Sequence, residues 1–309
     1  MFSKRIVFVL GAGASMPYGF PSGADLSKDI INTHETTIKP LLKYFKVTRK
    51  QFEKFQADFL ASRLNSIDAF LEYRPEHIAI GKLLITYHLM LKEHENFLLY
   101  SLQEKDWYKY FLNCLHAHGV DLLYDGQVTF VTYNYDRSLE HCFARSIQST
   151  ESIPYEVAIE KLSRIPIIHL HGQLGRLEEL PYGVSYPWLS QLAVNEEPLV
   201  ENLEELELAK NGIKIVHEGS GDTEEYEMAN SAIEKADLLV FLGFGYYGKN
   251  LQRLRLKEFM EDVCGTHMGI TKSEFANQIE PYFLNKNIVI HKYDMDCLTF
   301  LKNNNSILS

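Results

Sequence analysis

The chain has 309 residues, 46% hydrophobic and 23% charged, which is ample for a sizeable core and too short for several large domains. A formal charge of −10 and a pI near 5.7 argue against autonomous binding to nucleic acid or to an anionic membrane surface. The four cysteines, Cys114, Cys142, Cys264 and Cys297, are isolated from one another, which fits a reducing compartment and gives no disulfide framework.

Ile6 to Leu10 reads as a short apolar strand that runs straight into Gly11-Ala12-Gly13-Ala14-Ser15. In a doubly wound sheet such a turn lets backbone approach a nucleotide phosphate, and the N–H groups of the following helix start favour an anion. A tight strand-to-helix turn is the alternative reading. Lys4-Arg5, this apolar run and Ala12-Gly13-Ala14 imitate a signal peptide. The run is short for that purpose and fits a cytoplasmic first strand better. No apolar stretch is long enough to span a bilayer.

Residues from Asp25 to about Gly119 read as mostly helical. Ser66-Ile67-Asp68 looks like a helix start, Ile78 to Leu91 follows helical spacing, and so do Trp107-Tyr108, Phe111-Leu112 and Leu115. Strands are expected at Val128–Val131, Ile167–Leu170, Ile213–His217, Leu238–Leu242 and Ile288–Lys292. Asp222 to Glu225 has capping-box character before a helix ending near Ala236. Arg176 to Gly183 reads as a loop, Glu196 to Glu207 as a solvated acidic helix face, and Asn303 to Asn305 as part of a frayed end. Alternating strands and helices imply an α/β fold: a Rossmann-like parallel sheet with helices on both faces and a helical insertion. The expected layout is one domain, with the sheet from residues 1–25 and 120–309 and the insertion at about 26–119.

Three more strand ends carry polar or glycine clusters: Thr132-Tyr133-Asn134-Tyr135-Asp136, His169-Leu170-His171-Gly172 and Gly243-Phe244-Gly245. Open parallel sheets bind ligands at this edge. Together with Pro21-Ser22-Gly23, these motifs occur in an order that resembles the sirtuin superfamily. The closer resemblance is to bacterial sirtuin-like NAD hydrolases of antiphage defence, which share a first loop like Pro17 to Gly23. Sirtuin deacylases usually carry a zinc module on paired cysteines. Such pairs are absent here, so no zinc module and no metal are expected, and deacylation is in doubt.

The resemblance implies NAD as substrate, cleaved at the nicotinamide–ribose bond to nicotinamide and ADP-ribose. Asn134 then positions the ribose and the attacking water, and His171 serves as base. For Asn134 the other reading is an Asx-turn at a strand end. His169, two residues before His171, reads as a buried structural histidine; the pair also has the spacing for two metal ligands, with no third in view. Asp136 matches the residue that holds the nicotinamide carboxamide, and it equally suits a helix N-cap. Gly11, Ala12, Gly13, Ser15, Ser22 and Asp25 belong to the expected phosphate side, where Ser15, Ser22 and Asp25 also suit ordinary turn and cap chemistry, and Thr132 is a further expected cofactor-binding residue. Gly243, Gly245 and Asp294 are assigned to the adenosine half. Two other functions remain open: a regulatory module that binds NAD or ADP-ribose, and a zinc-free deacylase or ADP-ribosyltransferase. Control is expected through a homo-oligomer or a partner such as a helicase, another ATPase or an Argonaute-like sensor, with Trp107, Tyr108 and Tyr110 as candidate anchors and core packing favoured for the first two.

Overall fold

A strand apolar at every position is stable only where both its faces are covered. Ile6–Leu10 meets that condition as β1, the middle strand of a five-stranded sheet, with all five residues buried. The others are β2 (Val128–Thr132), β3 (Ile167–His169), β4 (Leu238–Leu242) and β5 (Asp262–Gly265), in the spatial order β3-β2-β1-β4-β5. Every neighbouring pair is parallel, and Leu10 sits level with Thr132 on one side and Leu242 on the other. The sheet is Rossmann-like, and the direction of winding reverses between β1 and β4, where such sheets have their ligand crevice. The structure, a computed structural model, describes residues 4–100, 104–118, 126–192, 200–215, 223–283 and 294–308.

Between β1 and β2 lie α1 (Ala12–Ser15), α2 (Gly23–Ile31), α3 (Lys39–Tyr44), α4 (Arg49–Ser62), α5 (Ile67–Tyr73), α6 (Ile78–Met90), α7 (Glu95–Tyr100) and α8 (Trp107–His118). Then come α9 (Ser138–Glu151) and α10 (Tyr155–Leu162) before β3, and α11 (Tyr186–Gln191), α12 (Val200–Gly212) and α13 (Glu224–Glu234) before β4. Helix α14 (Gly248–Arg253) follows β4, and α15 (Lys272–Glu274) and α16 (Cys297–Asn303) follow β5.

Side chains of β1 alternate between two cores, as the pleat requires. Ile6, Phe8 and Leu10 join the core that α8 and the helices before it share with α9, whereas Val7 and Val9 join that of α13 and α14. Phe8 anchors the first core, with ring centroids 5.5 Å from both Phe111 and Phe130. Trp107 and Tyr108 are buried in it and are not interface anchors; Trp107 Nε1 donates to Ala14 O at 2.8 Å and so pins the first turn from below. Among the described residues no helix is long and apolar enough to cross a membrane.

Three expectations need correction. Ile213 forms only an isolated antiparallel bridge to Gly172, not the start of a parallel strand. Among the described residues the last strand is β5, Asp262–Gly265, which the apolar pattern does not reveal. The C-terminal asparagines are not frayed: Asn303 closes α16, and Asn305–Leu308 forms a 3-10 turn. The strand expected at Ile288–Lys292, together with Gly119, residues 196–199, His217 and Asp222, lies outside the described residues.

One ion pair ties the helices before β2 to the sheet edge. Arg137, fully buried, gives Nε to Glu93 Oε1 at 2.9 Å and Nη2 to Glu93 Oε2 at 2.6 Å. Its Nη1 donates to Leu180 O, and Gly183 N donates to Glu93 Oε2 at 3.3 Å. Burial of two charges is tolerable only because nearly every donor and lone pair is used. Arg137→Ala strands the Glu93 carboxylate in the interior, and the expected loss is about 3–5 kcal/mol. Urea unfolding measures it; a loss under about 1 kcal/mol, typical of an exposed pair, would contradict this account.

Candidate active site

The glycines of the first turn answer a steric demand of the fold. Gly11 N donates to Leu242 O at 3.1 Å and Gly13 N to Gly243 O at 2.9 Å, so the turns after β1 and β4 pack backbone to backbone. A Cβ on Gly243, whose φ is +59°, would stand 2.1 Å from Ala14 N, and one on Gly13 would stand 2.8 Å from Gly243 Cα. The N–H groups of Gly11 and Gly13 are therefore engaged within the protein rather than turned toward an anion. Ser22 and Asp25 act as a cap: Ser22 is the N-cap of α2, accepts from Asp25 N at 3.1 Å and donates to Asp25 Oδ2 at 2.6 Å.

Asn134 stands just past the end of β2, held at four points. Its backbone N–H donates to Thr132 Oγ1 at 3.0 Å, and its carbonyl accepts from His169 Nδ1 at 2.9 Å. Its Nδ2 donates to Gly11 O at 3.0 Å and to Ser15 Oγ at 2.9 Å. Among the described residues Oδ1 takes no partner, and the residue lines a cleft of about 80 Å³ with Ala12, Ser15, Ser22, Asp68, Tyr133 and Asp136. The amide is thus pre-oriented, with its acceptor left for something else. That volume lies well below the ~300–1,000 Å³ of ordinary small-molecule sites.

Asp136 lines this cleft and accepts from Ser138 N at 3.1 Å and from Ser138 Oγ, a local turn contact one residue ahead of the N-cap of α9, which is Arg137 and not Asp136. Burial pushes its carboxyl pKa up, and the nearby Glu140 charge adds to that, against hydrogen bonds from Ser138 and Ser15.

His171 is buried behind the tyrosines of the Tyr133-Asn134-Tyr135 run, its ring centroid 5.3 Å from that of Tyr133 and 6.1 Å from that of Tyr135. Its Nε2 is 3.5 Å from the Tyr226 hydroxyl. Burial lowers its pKa, which keeps the imidazole neutral near pH 7. Residues not singled out by sequence reasoning complete this region. Tyr135 donates its hydroxyl to Asp68 at the start of α5, and Glu72 on the same helix lies 3.2 Å from Lys249 Nζ and 3.8 Å from Arg253 Nη1 of α14. These contacts join the helices before β2 to the far side of the sheet edge beside His171. Asp68 and Glu72 sit on a short helix far from any motif, and their polar spacing offers no sequence signal.

His169 does not pair with His171. The strand ends at His169, and a turn closed by Gly172 N donating to His169 O at 3.1 Å sends the two rings into different surroundings. Gly245 lines a separate groove with Tyr247 and Tyr282, and Asp294 accepts from Gly269 N at 3.2 Å on the surface. With Gly243 taken up by loop packing, none of the three lines the Asn134 cleft. Among the described residues no group of three His, Cys, Asp or Glu side chains is placed to hold a metal.

No family model matches the chain, and no curated protein matches it. Among solved structures it is similar to a Sir2Tm bound to a propionylated peptide, at 15% identity over 99% of this chain and 95% of that one, with a TM-score of 0.42. It is also similar to a Sir2 in complex with the inhibitor EX-527, 2'-O-acetyl-ADP-ribose and a deacetylated p53 peptide, at 15% identity over 99% and 96%, TM-score 0.41. A Sir2 with a p53 peptide and NAD+ gives 15% identity over 97% and 92%, TM-score 0.42. Such values decide nothing about chemistry, which rests on this chain's own residues.

The histidines separate by environment. Burial lowers the pKa of His88 and of His141 to about 4, and lowers that of His171. For His169 burial acts the same way but is outweighed by Glu140, so its pKa is raised. By linkage, the three lowered imidazoles contribute stability above about pH 6.5 that is lost as pH falls through that value toward the folded pKa. His169 contributes below about pH 6.5 and loses its contribution as pH rises through its raised pKa. Titration of the imidazole resonances by NMR checks this order; His171 titrating above His169 would contradict it.

Proposed function

We propose that this protein is an NAD glycohydrolase that releases nicotinamide and ADP-ribose, acting as an NAD-depleting effector of antiphage defence. The observation that carries the reading is the anchored Asn134 amide, its Oδ1 without a partner among the described residues, in a cleft beyond the ends of β1 and β2. The order of the motifs around it, which resembles that of sirtuin-like NAD hydrolases, supports the same reaction. The cleft lining carries Asp68 and Asp136 and no Lys, Arg or His, which suits a cationic pyridinium rather than a phosphate.

In this reading the C–N bond between ribose and nicotinamide breaks with its electron pair passing to the ring nitrogen, so nicotinamide leaves neutral. A water oxygen bonds to the anomeric carbon, and its proton passes to His171 once the tyrosines that separate that ring from the cleft have moved aside. Asn134 Oδ1 orients the ribose hydroxyl or that water, and developing positive charge on the sugar is favoured by the buried carboxylates. The small cleft and the tyrosines in front of His171 favour a resting state that opens on assembly with a second copy or another protein.

Asn134→Ala and His171→Ala are each expected to lower NAD cleavage by about a hundredfold or more with the circular dichroism spectrum unchanged. Wild-type turnover in both folded variants would remove them from the mechanism. Activity is expected to survive a chelator; loss restored by added zinc would reveal an unrecognised metal site. Turnover per molecule is expected to rise with protein concentration, and full turnover by a dilute monomer would overturn the resting-state reading.

A further inference from the structure

His169 and Glu140 are buried groups that the proposed reaction does not use directly. Glu140 lies one turn into α9, four residues after Asp136, and its carboxylate meets His169 Nε2. The opposite ring nitrogen, Nδ1, must carry a proton, because its partner at 2.9 Å is the carbonyl of Asn134, which can only accept. A carboxyl group facing the other nitrogen engages the ring at both ends, an arrangement that favours the imidazolium form. Burying such a pair brings little net stability when apolar residues of the same volume would serve. What it supplies is direction: a carboxylate that holds one nitrogen fixes where the other points.

We propose that His169 and Glu140 are positioning residues that hold the Asn134 main chain, so that the Asn134 amide enters the cleft in a single orientation. The inference rests on the reading of Asn134 as the group that orients ribose and water. Three anchors of Asn134 come from the turns after β1 and β2; His169 alone reaches it from β3 and ties its carbonyl to α9. Without the carboxylate the imidazole is free to lose its charge and rotate, and the peptide that carries the amide loses its hold on that side.

The test is Glu140→Gln, which keeps the shape and removes the charge. With a melting temperature within a few degrees of wild type, kcat for NAD is expected to fall about tenfold to a hundredfold while KM stays within about twofold, the scale of small misplacements of a reacting group. The Asn134 side-chain amide resonances are expected to shift or broaden in the same variant. An inert buried pair predicts neither change, so unaltered kcat and unaltered Asn134 resonances in the folded variant would overturn the proposal. Should the wild type cleave no NAD, the functional reading fails, and the Asn134 resonances still decide whether the dyad sets that amide. If Glu140→Gln does not fold, the wild-type protein decides: a His169 Nδ1–H resonance protected from exchange is required, and its absence overturns the proposal.

Discussion

The buried Arg137–Glu93 pair is the constraint on which the rest of the site depends. Arg137 directly follows Asp136, and Glu93 follows α6, so one bidentate contact fixes the helices before β2 against the end of β2. The same guanidinium holds Leu180 O and Pro181 O, which sets the loop after β3. Three separate segments are thereby placed around Asn134 and Asp136. Water cannot substitute for any member of this cluster at such depth, so the geometry is not negotiable piecemeal.

Upon that frame, backbone packing rather than side-chain chemistry shapes the turns. The turns after β1 and β4 meet at Gly11, Gly13 and Gly243, where no Cβ fits. Asn134 then spans from β2 to the first turn, and His169 from β3 to Asn134. The ends of β3, β2 and β1 are thus linked in series by side-chain hydrogen bonds, and those of β1 and β4 by backbone ones. A catalytic amide that must hold its position within a fraction of an ångström is better served by such links between rigid elements than by a free loop.

Much of the sheet was legible because β1, β2 and β4 are continuous apolar runs that end in glycine or polar residues, a pattern few other structures produce. β5 was not, since Asp262-Val263-Cys264-Gly265 is an edge strand of four residues with one fully buried apolar side chain. Asn134 and Asp136 were found by motif and do line one cleft. Glycines at 11 and 13 also carry a packing role that the motif does not announce, as their N–H groups serve β4 and its turn. Partnerships such as Arg137 with Glu93 and His169 with Glu140 join residues 44 and 29 positions apart, and no local periodicity encodes them. The different fates of His169 and His171 depend on a turn after β3 that a two-residue alternation cannot foresee.

The central claim, water attack at the anomeric carbon of NAD in the Asn134 cleft, is tested most directly by incubating the purified protein with NAD in ¹⁸O-labelled water and analysing the products by mass spectrometry. The account predicts unlabelled nicotinamide and linear ADP-ribose carrying one ¹⁸O. NAD recovered intact at every protein concentration, or consumed only when an acylated peptide is added, would contradict it.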